Sequence, residues 1–249
     1  TGKVYLTAAT GITEAGTAKV TTGTLGMNVT GAGDIVANNA NLVNTLGAKT
    51  ANGSIQFKNV QALGVTTVGA SGDFAGTTNG LTSTTAGNTI DVLVSTGALT
   101  LNNDVSTGTA GEVYLTAVTG ITETGTAKIT TDTLGMNVTG TGNIVANNAN
   151  LVNTLGAKTA NGSIQFKNAQ ALEVSAVGAS GDFAGTTNGL DTSATAGKTI
   201  DVLVSAGELT LNNDVTTNTT GNVYLTGAGA ITQTGGKIIT TTLGMNAAG

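Results

Sequence analysis

The stretch GKVYLTAATGITEAG (Gly2–Gly16) returns as GEVYLTAVTGITETG (Gly111–Gly125) and again as GNVYLTGAGAITQTG (Gly221–Gly235). A single catalytic centre needs one copy of its residues. An architecture that buries each unit only against its neighbour needs many. From Gly2 to Leu81, eleven of eighty positions differ from their counterparts in the copy that runs from Gly111 to Leu190. The spacing from Gly111 to Gly221 is one longer than that from Gly2 to Gly111. The extra residue falls where LTSTTAGNTI (Leu81–Ile90) becomes LDTSATAGKTI (Leu190–Ile200), in small polar residues that a surface loop tolerates. The chain therefore divides into repeat 1 (2–110), repeat 2 (111–220) and a partial repeat 3 (221–249), one continuous segment over 1–249 without a linker. It opens in mid-phrase, which reads as a piece of a longer array.

Within each repeat the apolar residues alternate. Val4 and Leu6, then Leu25, Met27 and Val29, then Ile55 and Phe57, then Ile90, Val92 and Val94, then Leu99 and Leu101 stand two apart, with Gly, Asn or Asp between runs. Period two marks strands and the interruptions mark turns. Only ANLVNTLGAK (Ala40–Lys49) departs from this, short enough for one helical turn or an irregular corner. Runs start at Val4, Leu25, Ile55, Ile90 and Val113, and the wider gaps between them leave room for excursions from a coil. At roughly 20–30 residues per coil, each repeat makes four or five coils and the chain roughly 9–11. Stacked at about 4.8 Å per layer, they predict a rod roughly 45–55 Å long. The fold class expected is all-β, a parallel β-solenoid. The absence of Pro fits strands that are all central and cannot spare an amide donor. Asn in NNAN (Asn38–Asn41) and LNND (Leu101–Asp104) serves either a layer-to-layer side-chain ladder or left-handed turn positions.

Composition narrows function. Charged residues are 9% and aromatic residues 3% of the chain, the net charge is −5, and all nine basic residues are Lys. Without a basic cluster the chain lacks the counterion-displacing face that nucleic-acid binding requires. Its apolar runs are too short to cross a bilayer as a helix. The absence of Cys means that a secreted version would be held by burial and hydrogen bonds alone.

The phrases GNVYLTGAGAITQTGG (Gly221–Gly236) and TTTLGMNAAG (Thr240–Gly249), with NNANLVNTLGAKTANGSIQFKNVQALGVTTV (Asn38–Val68), resemble the long repeat regions of filamentous haemagglutinin-type exoproteins, the adhesins of two-partner secretion. The resemblance covers nearly the whole chain. It implies a right-handed parallel β-helix, secreted to the outer surface of a Gram-negative cell. It implies no functional residue, because no residue-level active motif marks that repeat region.

Side-chain chemistry points the same way. Without His or Cys, acid–base and nucleophilic schemes built on them are excluded. The acids change between copies: Asp34 becomes Asn143, and Glu14 becomes Glu123 and then Gln233. The retained pair Asp91 and Asp201 lies a whole repeat apart, too far for a two-carboxylate mechanism at roughly 5–10 Å. GAGDIV (Gly31–Val36) evokes a calcium turn, yet one unreplicated Asp falls far short of about six oxygens, so no metal or cofactor is expected. The candidate contact loop is GASGDFAGTTNGL, identical at Gly69–Leu81 and Gly178–Leu190. Asp73 with Phe74, and Asp182 with Phe183, either meet a sugar ring or fold the Phe back onto the rod.

The expectation is a non-enzymatic extracellular stalk of a haemagglutinin-like adhesin, with glycan or cell contacts lying outside this segment. The alternatives are a self-assembling subunit of a filament, sheath or biofilm matrix with homotypic contacts, and, more remotely, a polysaccharide-active β-helix, which needs an acidic cluster on one face.

Overall fold

The computed structural model describes residues 2–74, 76–183 and 186–248. Among them there is no helix, and nearly every strand lies in one parallel sheet of 24 strands wound into a solenoid. The alternating residues explain why. Val4 stacks on Leu25, Leu25 on Leu46, Leu46 on Val65 and Val65 on Leu101, each pair in parallel register. The same ladder of strands continues from Leu99, which stands two residues before Leu101 and pairs with Ile121, and on through Ile144, Ile164, Ile200, Val223 and Leu243. That makes eleven layers, about 50 Å of rod at the usual strand spacing. A second ladder rises alongside, through Ile12, Ile35, Ile55, Ile90, Val113, Leu134, Leu155, Val174, Leu211 and Gln233. Short strands such as Leu81–Ser83 and Val105–Ser106 close the coil between the two.

The register carries a consequence that length alone conceals. Val113 does not join the ladder of Val4; it stands on Ile90 in the other one. Val223 returns to the first ladder, on Ile200. Two long repeats thus take nine layers, and one takes four and a half. Successive copies of the same phrase lie on alternate ladders, related by half a turn. Asp91 and Asp201, the retained pair, are therefore on different ladders as well as far apart.

One hydrophobic cluster runs unbroken from Leu25 to Leu225, with Val4, Leu6, Ile231 and Ile238 packed on its ends. The segment Ala40–Lys49, expected as a helical turn or an irregular corner, is strand that turns a corner, with no helical turn. It lies within the eighteen-residue Ile35–Asn52, and its copy within Ile144–Thr159. The alternation breaks only at Asn44–Thr45, where the strand rounds a corner and Val43 and Leu46 both point inward.

Asparagine holds another corner. Asn59 and Asn168 are fully buried. Asn59 Oδ1 accepts from Val43 N–H at 2.9 Å, while its Nδ2 donates to the carbonyls of Val43 and Gln61, both at 2.8 Å. Asn168 repeats the pattern around Val152 at 3.0 and 2.8 Å. One layer away, Asn41 and Asn150 accept from Val20 and Ile129 N–H at 2.6 Å. The layer-to-layer ladder is the role these Asn play. Among the described residues, the only non-glycine with positive φ is Ala110, so none of them sits at a left-handed turn.

Replacing Asn168 by Ala strips the buried Val152 N–H and C=O of their partners. Since an orphaned buried group costs about 1–3 kcal/mol, Asn168→Ala is expected to lose about 2–4 kcal/mol in urea denaturation. An exposed control, Asn153→Ala, should stay within about 0.5 kcal/mol of the parent.

Candidate functional site

The excursion anticipated from Gly69 is a short hairpin arm. Thr67–Val68 pairs antiparallel with Thr78–Asn79, and Ser71 bridges to Phe74. In repeat 2, Ala176–Val177 pairs with Thr187–Asn188 and Ser180 bridges to Phe183. Leu81–Ser83 then rejoins the rod. Each arm lies flat on a track of one tyrosine and two glycines. Phe74 stacks on Tyr5 and Phe183 on Tyr114, both with ring centroids 5.1 Å apart and tilted 44°. The glycines are required by this closeness. A Cβ on Gly135 would meet Tyr114 at 2.9 Å, Phe183 at 3.0 Å and Val177 at 3.1 Å, and one on Gly156 would strike Thr187.

Of the four candidate contact residues, Phe74 and Phe183 are 4% and 1% exposed, so neither ring offers a face to a sugar. They cover the apolar track instead. Asp73 is exposed and Asp182 half-buried, beside the buried rings. Tyr224 belongs to the third track, on Gly244, with no arm over it, and is 43% exposed against 4% for Tyr114.

Arm 2 reaches beyond its tyrosine to repeat 1. Asp182 N–H donates to Asp91 Oδ2 at 2.6 Å, across 91 residues of sequence. Asp91 is 2% exposed and its Oδ1 has no hydrogen-bond partner. Burial raises its pKa to about 7; the Asp182 N–H pulls it down, and the Asp182 charge pushes it up. Glu123 is a second carboxyl of this kind, raised to about 7 first by burial and also by the charge of Asp104. Asn148 N–H at 3.0 Å and Asn150 Nδ2 at 3.3 Å oppose that shift through Oε2, while Oε1 is left without a partner. The sequence marks neither as unusual, because burial depends on which strand lies above.

A different set of acids is open to solvent. Asp132, Glu173 and Glu208 line one groove of about 480 Å³ with Asn153, Thr154 and Thr210. Register explains their convergence: Asp132 adjoins Thr133, Thr133 pairs with Thr154, Thr154 with Glu173, and Glu173 with Thr210. Asn153 Nδ2 donates to Asp132 at 2.7 Å and Asn212 Nδ2 to Glu173 at 3.1 Å. Repeat 1 has Gly23, Gly64 and Ala98 at these places, so the groove is anionic in repeat 2 only. The three substitutions were visible in the sequence; their adjacency was not. Chemically the groove offers exposed carboxylates and amides suited to hydroxyls or cations. Glycoside hydrolysis typically pairs such a carboxylate with a raised-pKa acid within about 10 Å. Asp91, the raised acid on the same ladder, lies four layers from Glu173, about 19 Å, and two layers from Asp132, about 10 Å along the axis, with Asp132 a further three residues along its strand from the position above Asp91.

The raised carboxyls set a pH dependence. Folded Asp91 and Glu123 hold a proton more tightly than the unfolded chain does. Their contribution to stability is therefore greatest below about pH 4 and is lost as pH rises to about 7. Gln233, at the place of Glu123 in the third copy, is the neutral counterpart. Glu123→Gln is expected to gain about 1 kcal/mol over the parent at pH 7.5 and to lose that advantage at pH 5, measured by urea denaturation at both pH values.

Compared with known proteins, the chain matches no family model, no curated protein and no solved structure.

Proposed function

We propose that this chain is a non-enzymatic stalk segment of a large, secreted, haemagglutinin-like surface adhesin. The observation that carries the reading is the unbroken core together with the half-turn repeat. Four and a half coils join the next four and a half through the same ladders, with no seam at Gly111 or Gly221. Such a body adds length in fixed increments and transmits load along its axis. Each layer is bonded to the next by main-chain hydrogen bonds, and stability is shared between nearest neighbours. The glycine tracks and arms sheathe the flank. The resemblance of the repeated phrases to filamentous haemagglutinin-type exoproteins supports the surface location.

The second reading is a self-assembling filament subunit, for which the low content of charged residues, 9%, speaks.

One experiment tests both. Inserting a second copy of residues 111–220 should lengthen the particle by four and a half layers, about 22 Å, seen by negative-stain microscopy. Light scattering should report a monomer at every concentration. Unchanged length would overturn the stalk reading. Concentration-dependent fibres would replace it with the filament.

A further inference from the structure

We propose that arm 2 is a proton-controlled latch between successive long repeats: its tip, Gly181–Phe183, closes over the carboxyl of Asp91 and lifts when that carboxyl is ionised. Asp91 stands in the TIDVLV strand of repeat 1 with Tyr114 in register above it. Under arm 2 it is 2% exposed.

The two arms share the sequence GASGDF at Gly69–Phe74 and Gly178–Phe183, and both seat their Phe on a Tyr. At the tip of arm 2, a Cβ built on Gly181, at φ +52°, would strike Asp91 Oδ2. One built on Gly72, at the tip of arm 1, meets nothing within 4 Å in this chain, which makes arm 1 the control. The missing side chain and left-handed backbone of Gly181 let the tip of arm 2 approach closely enough for the Asp182 N–H to reach Asp91 at 2.6 Å.

The closed latch holds a carboxyl in an environment suited to its neutral form. One oxygen accepts the Asp182 N–H, and the Phe183 N–H also favours the charge, but burial outweighs both and the other oxygen has no hydrogen-bond partner. On the arm, Asp182 places a like charge nearby. From the strand above come Tyr114 and Glu112, with the Tyr114 hydroxyl donating to Glu112 at 3.0 Å. From the strand below comes neutral Gln56, with Lys58 one outward position along, under Leu93. An ionised Asp91 under the arm is a poorly satisfied buried charge, and exposing it to water relieves that cost. Opening would also bare Phe183, Val177 and the face of Tyr114. With a closed-state pKa of about 7 against an ordinary value of 3.8 when open, closure is strongest in acid and weakens as pH rises towards 7.

The test is hydrogen–deuterium exchange followed by mass spectrometry on the whole chain at pH 5 and pH 7.5, corrected for the intrinsic pH dependence of exchange. Peptides from the two arms are distinguished by their flanks, GVTTV at Gly64–Val68 and EVSAV at Glu173–Val177. Protection of residues 176–188 should fall at least about tenfold between the two pH values, as one linked proton allows, while that of residues 67–79 stays constant. Asp91→Asn should make arm 2 as insensitive to pH as arm 1. Asp182→Asn, which leaves Asp91 in place and removes the like charge, should move the transition to lower pH. Equal responses from both arms, or an undiminished response in Asp91→Asn with normal protection of the rod strands, would overturn the latch. If Asp91→Asn fails to fold, Asp182→Asn decides: an unmoved transition overturns the proposal.

Discussion

Everything in this molecule depends on the parallel ladder between one coil and the next. A strand of two to six residues has no stability of its own. Here its amides and carbonyls find partners only in the layers above and below, and its inward side chain finds apolar contact only on the equivalent side chain of those layers. That coupling demands that Val stand on Leu and Ile on Ile, as they do along both ladders. It also explains the composition. Residues that cannot donate an amide are absent, and bulky rings are few because the narrow core inside one coil has little room for them.

Where the ladder turns a corner, main-chain groups must be satisfied by something else, and the buried asparagines do this. Asn59 presents an acceptor and two donor hydrogens at a corner where Val43 exposes one N–H and one C=O, so a single side chain replaces the lost ladder bonds. No apolar residue can take that place without orphaning both groups. Polar residues inside this rod are therefore structural in the same sense as its Leu and Ile.

The flank obeys a different constraint. Glycine at Gly26, Gly47, Gly135 and Gly156 removes the side chains that would otherwise separate arm from sheet, and the arm fills the space with Phe and Val. Because the arm runs along the rod axis, it touches layers that are distant in sequence. Contact between Asp182 and Asp91 joins one repeat to the previous one in a way the ladder does not. Among the described residues, arm 2 thus carries a contact that reaches beyond its neighbouring layers.

By itself the sequence determined the class of fold, the length of the long repeat, the alternation of inward residues and the place of the excursion. These follow from local periodicity and from copying, which are written along the chain. Only the tertiary structure decided the rest. One long repeat divides into four and a half coils because corners and arms consume residues unequally, and no local pattern counts them. That half coil sends equivalent residues to alternate ladders. Ala40–Lys49 became strand because the layers on either side offered it a ladder, overriding its weak local pattern. Phe74 and Phe183, which the sequence offered either to a sugar or to the rod, fold back onto the rod, since burial is a property of what lies across the surface. For the same reason Asp91 and Glu123, ordinary acids in the chain, become buried carboxyls, while Asp132, Glu173 and Glu208, scattered along it, meet in one groove.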